Sequence, residues 1–386
     1  MKKSLHKNLL HIAKNFILWR SLLFVPLLLG ALFLPYRKGY DFTNIWNYIK
    51  PYFPVLNPLL FPWANFDGVH YLSIAGQGYT NNGRFFPLYS LLIKMGTLIF
   101  GSPPAFGTIY FFTALFISNL SLFLSLIIFY KLLRLDYSEK ISLYSLMFLL
   151  LFPTSFFLGS IYSESIFLLV CLLSLYFSRK EQWLLSGIFG LFASLTRIIG
   201  IVIFPILLIE FFKTKQKKLN HLISLFLAPL GLISYAIFNW IEWGDPLKFL
   251  KLQGELNNGR STTAFIFPLQ TIYRYIKMIF SVSPSQFEWW IVLLELCTFI
   301  FACSLIFIMW KKRIRFSYII FTLLGLFIPV FSGTMSGLPR YILPLFPLFI
   351  TLALINNKIF RICYITIGII LTFILLYFFS RGYYIA

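Results

Sequence analysis

The sequence predicts an all-α polytopic membrane protein of about eleven transmembrane helices, and three observations carry that prediction. The 386 residues are 59% hydrophobic and only 12% charged, where an ordinary soluble domain is about 45–50% apolar and about 25% charged. The mean hydropathy is +0.83. The basic residues gather at the ends of successive apolar runs, on one side of a single threading through a bilayer. A soluble fold of this size could not cover its surface with so few charges. That excludes a cytosolic globular enzyme, a disordered chain and a disulfide-stapled secreted domain. The formal net charge of +21 comes from 33 Lys and Arg against 12 Asp and Glu. In a membrane chain such an excess is first a signature of loop orientation.

A helix crossing about 30 Å of hydrocarbon needs about 20 apolar residues, fewer where the bilayer thins. The first run, 17–35, follows a head holding Lys2, Lys3, Lys7, Lys14 and Arg20. No small-x-small cleavage site follows it, so it reads as an uncleaved anchor. Further runs lie at 106–130, 141–159, 164–178, 183–197, 198–212, 221–242, 287–310, 316–332, 341–355 and 360–380. With the N-terminus (1–16) cytoplasmic, the inner ends carry Lys131/Arg134/Lys140, Arg179/Lys180, Lys213/Lys215/Lys217/Lys218, Lys311/Lys312/Arg313/Arg315 and Lys358/Arg361. Together with the head these make 20 of the 33 basic residues, and their concentration on short inner loops is the positive-inside pattern. The excess charge is thereby explained with no nucleic acid as partner. Cys171, Cys297, Cys303 and Cys363 sit inside apolar runs without ligand spacing and read as packing residues.

Residues 36–105 and 243–286, placed outside, are too long to be mere connectors and are rich in Pro, Gly, Asn and Tyr. They separate central spans (106–242) from C-terminal spans (287–386) within a single transmembrane domain. Phe85–Phe100 is apolar but short and contains Lys94. It fits an interfacial or re-entrant helix, because a crossing there would invert every later loop.

The first outer segment contains Asn65-Phe66-Asp67-Gly68-Val69-His70-Tyr71. Asp67 is a rare outer carboxylate among aromatics, an environment that raises a carboxyl pKa toward the range of a general base. The alternative is that it caps a helix starting at Gly68. His70 stands one helical turn on, but no third metal ligand is near in sequence, so no metal is expected. Arg84 heads an aromatic cluster through Tyr89, which reads either as a membrane-surface anchor or as a phosphate contact with a ring wall for sugar or prenyl chain. Ser163-Glu164-Ser165 reads first as a capped helix start with an acidic first turn. Arg197 and Arg340 are isolated cations at outer turns, suited to forked hydrogen bonding with a lipid phosphate. Asp245 lies in a Gly-Asp-Pro turn whose chemistry is good whatever the function. Glu295, one side of a span below its outer end, points into the bundle. No Walker A, GxGxxG, HExxH or Asp-x-Asp sequence occurs, which lowers the support for nucleotide hydrolysis and nucleotide-sugar chemistry.

Together these segments resemble the PIG-V family of membrane mannosyltransferases, a branch of the GT-C glycosyltransferase superfamily. The matching residues are Phe66-Asp67…His70-Tyr71…Ile74-Ala75…Gly78-Tyr79, then Phe85–Tyr89, Ser163–Ser165, Arg197–Gly200, Gly244–Leu247 and Pro339–Tyr341 with Pro344 and Pro347. They occur in the family's order from about residue 63 to 350. Phe66 stands where the family has Trp, and His70 where an aromatic is more common. The resemblance implies a GT-C-type bundle with a long first outer loop carrying interfacial helices and a catalytic Asp67. It also implies a polyprenyl- or dolichyl-phosphate sugar donor and a glycolipid-type acceptor, with no cofactor. On that reading Asp67 is the general base of an inverting hexosyl transfer, most simply of mannose. Arg197, Arg340 and Arg84 bind the donor phosphate, and His70, Tyr71, Tyr89, Glu164 and Asp245 line the substrates. The active site is non-cytoplasmic, on the plasma membrane of a prokaryote or in the ER membrane of a eukaryote; the Phe/Ile/Lys-rich composition points to a prokaryote. The rivals are a GT-C transferase acting on protein or another lipid, and a lipid or sugar transporter.

Overall fold

The computed structural model describes residues 2–385 except 42, 51, 81, 102, 256–259 and 263, and no side chain of residues 2–6, 43 and 44, Lys2 and Lys3 of the basic head among them. Helices dominate and no strand occurs among the described residues. This all-α outcome follows from the solvent: in hydrocarbon each backbone N–H and C=O must be paired within the segment, and the helix does that for any apolar sequence. Lys7–Phe33, Thr108–Leu133, Leu219–Trp243, Phe287–Lys311 and Lys358–Phe379 are long and apolar enough to cross a membrane. Trp183–Thr196, Ile198–Phe212 and Phe316–Val330 are shorter apolar helices. Of the expected runs at 141–159, 164–178 and 341–355, the first and third are broken and the second is continuous. The first is a helix, Glu139–Leu150, followed by a short 3₁₀ turn at Ser155–Gly159. The second is the 16-residue helix Glu164–Arg179. The third is a single turn, Leu338–Tyr341, then Pro347–Leu354, because Pro344 and Pro347 cannot continue a helix.

The chain divides into two compact units. The first comprises residues 1–82, 87–172 and 353–385, and the second 83–86 and 173–352. In the first, the outer segment folds into short helices ending in Asp67–Gln77, with Pro87–Leu98 in the stretch expected to be interfacial. Ser138 and Asn357 cap the helices that follow them, their side chains accepting from the N–H of Ile141 and Phe360. Arg20 departs from its expected place in the cytoplasmic head. It lies inside the span Lys7–Phe33, about 20 Å along the helix from Lys7, where its guanidinium stacks 3.6 Å from the centroid of the Trp63 ring. A cation at that depth needs a partner, and the indole face supplies one.

In the second unit, Trp183–Thr196 packs against Leu227–Trp243 through glycines. A Cβ at Gly231 would run into the Leu191 carbonyl, and one at Gly190 would come within 2.8 Å of Ala228 Cβ. Small residues allow such backbone contact between membrane helices. Glu210 is buried and takes two hydrogen bonds from Arg315, at 2.6 and 2.5 Å, and one from Ser317. Removing one partner of a buried pair leaves a charge in the core at a cost of about 3–5 kcal/mol, whereas replacing both is much milder. Arg315→Ala is therefore expected to lower the melting temperature in detergent, and the double substitution Arg315→Ala/Glu210→Gln to recover part of the loss. Equal melting temperatures for the two variants would contradict this account.

Candidate functional site

In the first unit the site is built around irregular backbone just before Asp67. Phe66 has φ +58° and ψ −109°, a sparsely populated conformation that costs a residue with a Cβ about 1–3 kcal/mol. Its ring is held by those of Phe379 and Tyr384, at 5.5 and 5.3 Å between centroids. Asn65, fully buried, fixes the same turn: its amide donates to the Phe379 carbonyl at 2.7 Å, and its carbonyl accepts from the Tyr162 hydroxyl at 2.7 Å. The Ile161 N–H donates to the Trp63 carbonyl at 2.7 Å. Gly68 faces the Ile161 carbonyl, which a Cβ would approach to 3.2 Å.

Asp67 is thereby the first residue of its helix, and Phe66 occupies the cap position. The capping alternative does not describe it: Asp67 sits in the first turn, where the free N–H groups suit a carboxylate, and it is half-buried, like His70 one turn on. Tyr71 points inward. Its hydroxyl donates to Ser163 Oγ at 2.9 Å, and its ring meets that of Tyr89 edge-on at 5.0 Å. Tyr89 is fully buried, with its hydroxyl 3.0 Å from the Ala114 carbonyl and 2.6 Å from Ser118 Oγ. Burial pushes that hydroxyl well above the usual phenol range. Glu164 is 1% exposed at the start of its helix. Tyr71, Tyr89 and Glu164, expected to line the substrates, are thus part of the packed interior beneath the Asp67 helix.

The second unit holds the expected phosphate-binding residues. Arg197 ends Trp183–Thr196 in extended conformation, and Gly200 packs so closely on the Ala193 carbonyl that no Cβ would fit; this is the physical content of the Arg-x-x-Gly turn. Gly337, at φ +81°, starts the turn that carries Arg340. Arg197 and Arg340, far apart in the chain, converge on one ring, with their guanidinium carbons 5.0 and 5.2 Å from the Tyr341 centroid. Sequence reasoning missed a third: Arg260 lies 5.4 Å from the same centroid and donates to the Tyr341 hydroxyl at 2.9 Å and to the Ser336 carbonyl at 2.8 Å. Glu295 points into the bundle as its place in the span predicts. Its carboxylate, buried in the span Phe287–Lys311, accepts from the Tyr275 hydroxyl at 2.6 Å and from the Gly337 N–H at 3.0 Å, so it anchors the segment bearing Arg340. Guanidiniums gathered around one ring repel one another, which favours an anion among them, and the buried Glu295 already acts electrostatically on Arg260.

Arg84 stacks over Phe85, with its carbonyl near Gln253, so its position is set by the aromatic cluster around Phe86, Tyr235 and Phe249. The Tyr235 hydroxyl lies 2.6 Å from the Gly83 carbonyl and 3.0 Å from that of Phe85. Asp245 pairs with Lys251 at 2.6 Å and accepts the Leu247 N–H at 3.0 Å, which is turn chemistry.

Residues 9–241 match the family described as Mannosyltransferase (PIG-V). The chain belongs to the PIG-V mannosyltransferase family. The matched stretch contains Asp67, Arg84 to Tyr89, Glu164 and Arg197 and ends before Asp245, Arg260 and Arg340. No curated protein matches the chain in sequence. Among solved structures it is similar to the crystal structure of the oligosaccharyltransferase of Archaeoglobus fulgidus in the apo form, at 14% identity and a TM-score of 0.45. That similarity covers 95% of this chain but only 56% of the other, so this PIG-V chain spans little more than half that protein's length.

The Asp245 contacts generate a pH prediction. The hydrogen bond from Lys251 holds the carboxyl below its ordinary value of 3.8. A depressed carboxyl adds stability that is complete above the unfolded value and lost as pH falls through the folded one. Protection of peptides covering 245–251, taken relative to the intrinsic exchange rate at each pH, is thus expected to be constant near neutrality and to fall only below about pH 4, and Asp245→Asn to remove that acid step.

Proposed function

We propose that this PIG-V protein transfers a hexose, mannose by family membership, from a polyprenyl- or dolichyl-phosphate donor to a glycolipid-type acceptor on the non-cytoplasmic face, with inversion. The observation that carries the donor assignment is the convergence of Arg197 and Arg340 on the Tyr341 ring. Two forked cations brought together from distant segments match the oxygens of a phosphate. Family membership supplies the sugar chemistry.

In the proposed step the acceptor oxygen attacks the anomeric carbon, and the bond from that carbon to the phosphate oxygen breaks. Its electron pair leaves on the lipid phosphate. Asp67 takes the acceptor hydroxyl proton. Arg197 and Arg340, with Arg84 as the third cation of the original expectation, stabilise the charge that grows on the leaving phosphate. Asp67 is suited to the base role by its half-buried place in the first turn of a helix whose entry is locked by Asn65 and Phe66. His70, half-buried one turn on, is assigned to the acceptor side. Tyr71, Tyr89 and Glu164 are assigned to holding the Asp67 helix, because their side chains are buried. The N-terminus is assigned to the cytoplasm from the positions of the basic clusters.

The test is transfer of labelled mannose from polyprenyl-phosphate mannose by protein purified in detergent. Asp67→Asn is expected to slow transfer by about 10²–10⁴-fold with an unchanged melting temperature; near-normal transfer would overturn the base assignment. Arg197→Ala and Arg340→Ala are each expected to raise the KM for the donor at least about tenfold, and an unchanged donor KM would remove the phosphate role.

A further inference from the structure

The second outer segment, 243–286, carries no phosphate role in the sequence pattern, yet it delivers a side chain to the centre of the arginine cluster. The geometry points to Arg260 as a third phosphate-binding residue, completing one anion site with Arg197 and Arg340. The inference rests on the proposed donor reading and extends it to a residue beyond the stretch matched to the family.

Three features support it. First, Arg260 and Arg340 already share an acceptor: Nη2 of Arg260 lies 2.9 Å from the Tyr341 hydroxyl oxygen and Nη2 of Arg340 lies 3.4 Å from it. Two guanidiniums that reach one oxygen can reach two oxygens of one phosphate, since the fork of each places further N–H donors nearby. Second, Arg260 is aimed by its surroundings. Its other bond, to the Ser336 carbonyl at 2.8 Å, ties it to the turn that carries Arg340. The Ser261 N–H donates to the Ser332 carbonyl at 2.7 Å, and that of Ile266 to the Phe331 carbonyl at 3.0 Å, so the backbone that follows Arg260 is docked along 331–332. Third, the turn itself is rigidly held. Tyr275 donates to Glu295 and accepts from the Met335 N–H at 2.9 Å, and Glu295 also accepts the Gly337 N–H. Pre-organised donors of this kind lose little freedom when an anion arrives.

The experiment measures Kd for farnesyl phosphate, with farnesol as the uncharged control and inorganic phosphate as the headgroup alone, on the purified full chain. Arg260→Gln keeps an amide donor for Ser336 but has no charge, so it separates anion binding from the strut role; Arg260→Lys keeps the charge without the fork. Arg260→Gln is expected to weaken farnesyl phosphate about tenfold to a hundredfold and to leave farnesol unchanged, with Arg260→Lys in between. Lys312→Ala, an equal loss of charge at an exposed helix end, is expected to change nothing. Parallel weakening of inorganic phosphate assigns the site to the headgroup; weakening of farnesyl phosphate alone assigns it to the lipid-borne phosphate. Wild-type affinity in Arg260→Gln, with weakened binding in Arg197→Ala and Arg340→Ala, would overturn this inference and leave the donor reading standing. Wild-type affinity in all three variants would overturn both.

Discussion

The constraint behind this fold is that backbone buried away from water must find its hydrogen bonds inside the protein. Helices meet it without reference to sequence detail, and most of the chain does so. Three buried stretches do not: 61–66, 154–163 and 331–346 run irregularly among buried residues. In each, named side chains complete the pairing that a helix would have supplied. Tyr162 and Asn65 do so before Asp67; Ser160 and Ser165 do so around 156–158; Tyr275, Glu295, Thr334 and Arg260 do so at 334–337. Asp67, Glu164 and Arg340 lie on or beside these stretches, where the chain departs from helix inside the protein.

The same constraint sorts the basic residues. A cation at the end of an apolar helix is solvated by the interface and serves mainly to orient the chain. A cation deeper in has to be held by protein, and its holder shows its use. Arg20 is held by the face of Trp63 in the segment leading to Asp67. Arg197, Arg260 and Arg340 are held around Tyr341. The net charge of +21 therefore combines a majority that sets topology with a small set that shapes two interiors.

What the sequence showed follows from which signals are local. Asp67 stood out because outer carboxylates are scarce, and Arg197 and Arg340 because each is an isolated cation at a turn. Arg260 carried no such signal: it lies in a polar Gly-Arg-Ser-Thr stretch, and its partners are the Ser336 carbonyl and the Tyr341 hydroxyl, reached only after folding. In the sequence Arg20 reads as the last cation of the basic head although the apolar run already begins at 17, and the fold resolves that overlap: helix runs from Lys2 to Leu22 and from Phe24 to Phe33, with Arg20 stacked on Trp63. Tyr71, Tyr89 and Glu164 could not be sorted into lining and support. In a soluble helix the polar face marks the outside; in an apolar bundle both faces look alike, so burial is decided by neighbours such as Ser118 and Ser163.

The turn before Asp67 joins these points. A phenylalanine at φ +58° persists only where the surroundings over-determine it, and here they do so through aromatic packing on Phe379 and Tyr384 and the two-way pairing of Asn65. Two of those holders, Phe379 and Tyr384, lie more than 300 residues along the chain, so the C-terminal span and tail fix the entry to the first outer helix. A glycine at position 66 would relieve the backbone cost but would lose those ring contacts, and with them the tie between the two ends of the chain. The phenylalanine thus exchanges about 1–3 kcal/mol of backbone strain for a fixed direction of the helix that begins with Asp67. The proposed base role would draw on that fixed direction, because proton transfer depends on holding a carboxylate within hydrogen-bond reach of the acceptor.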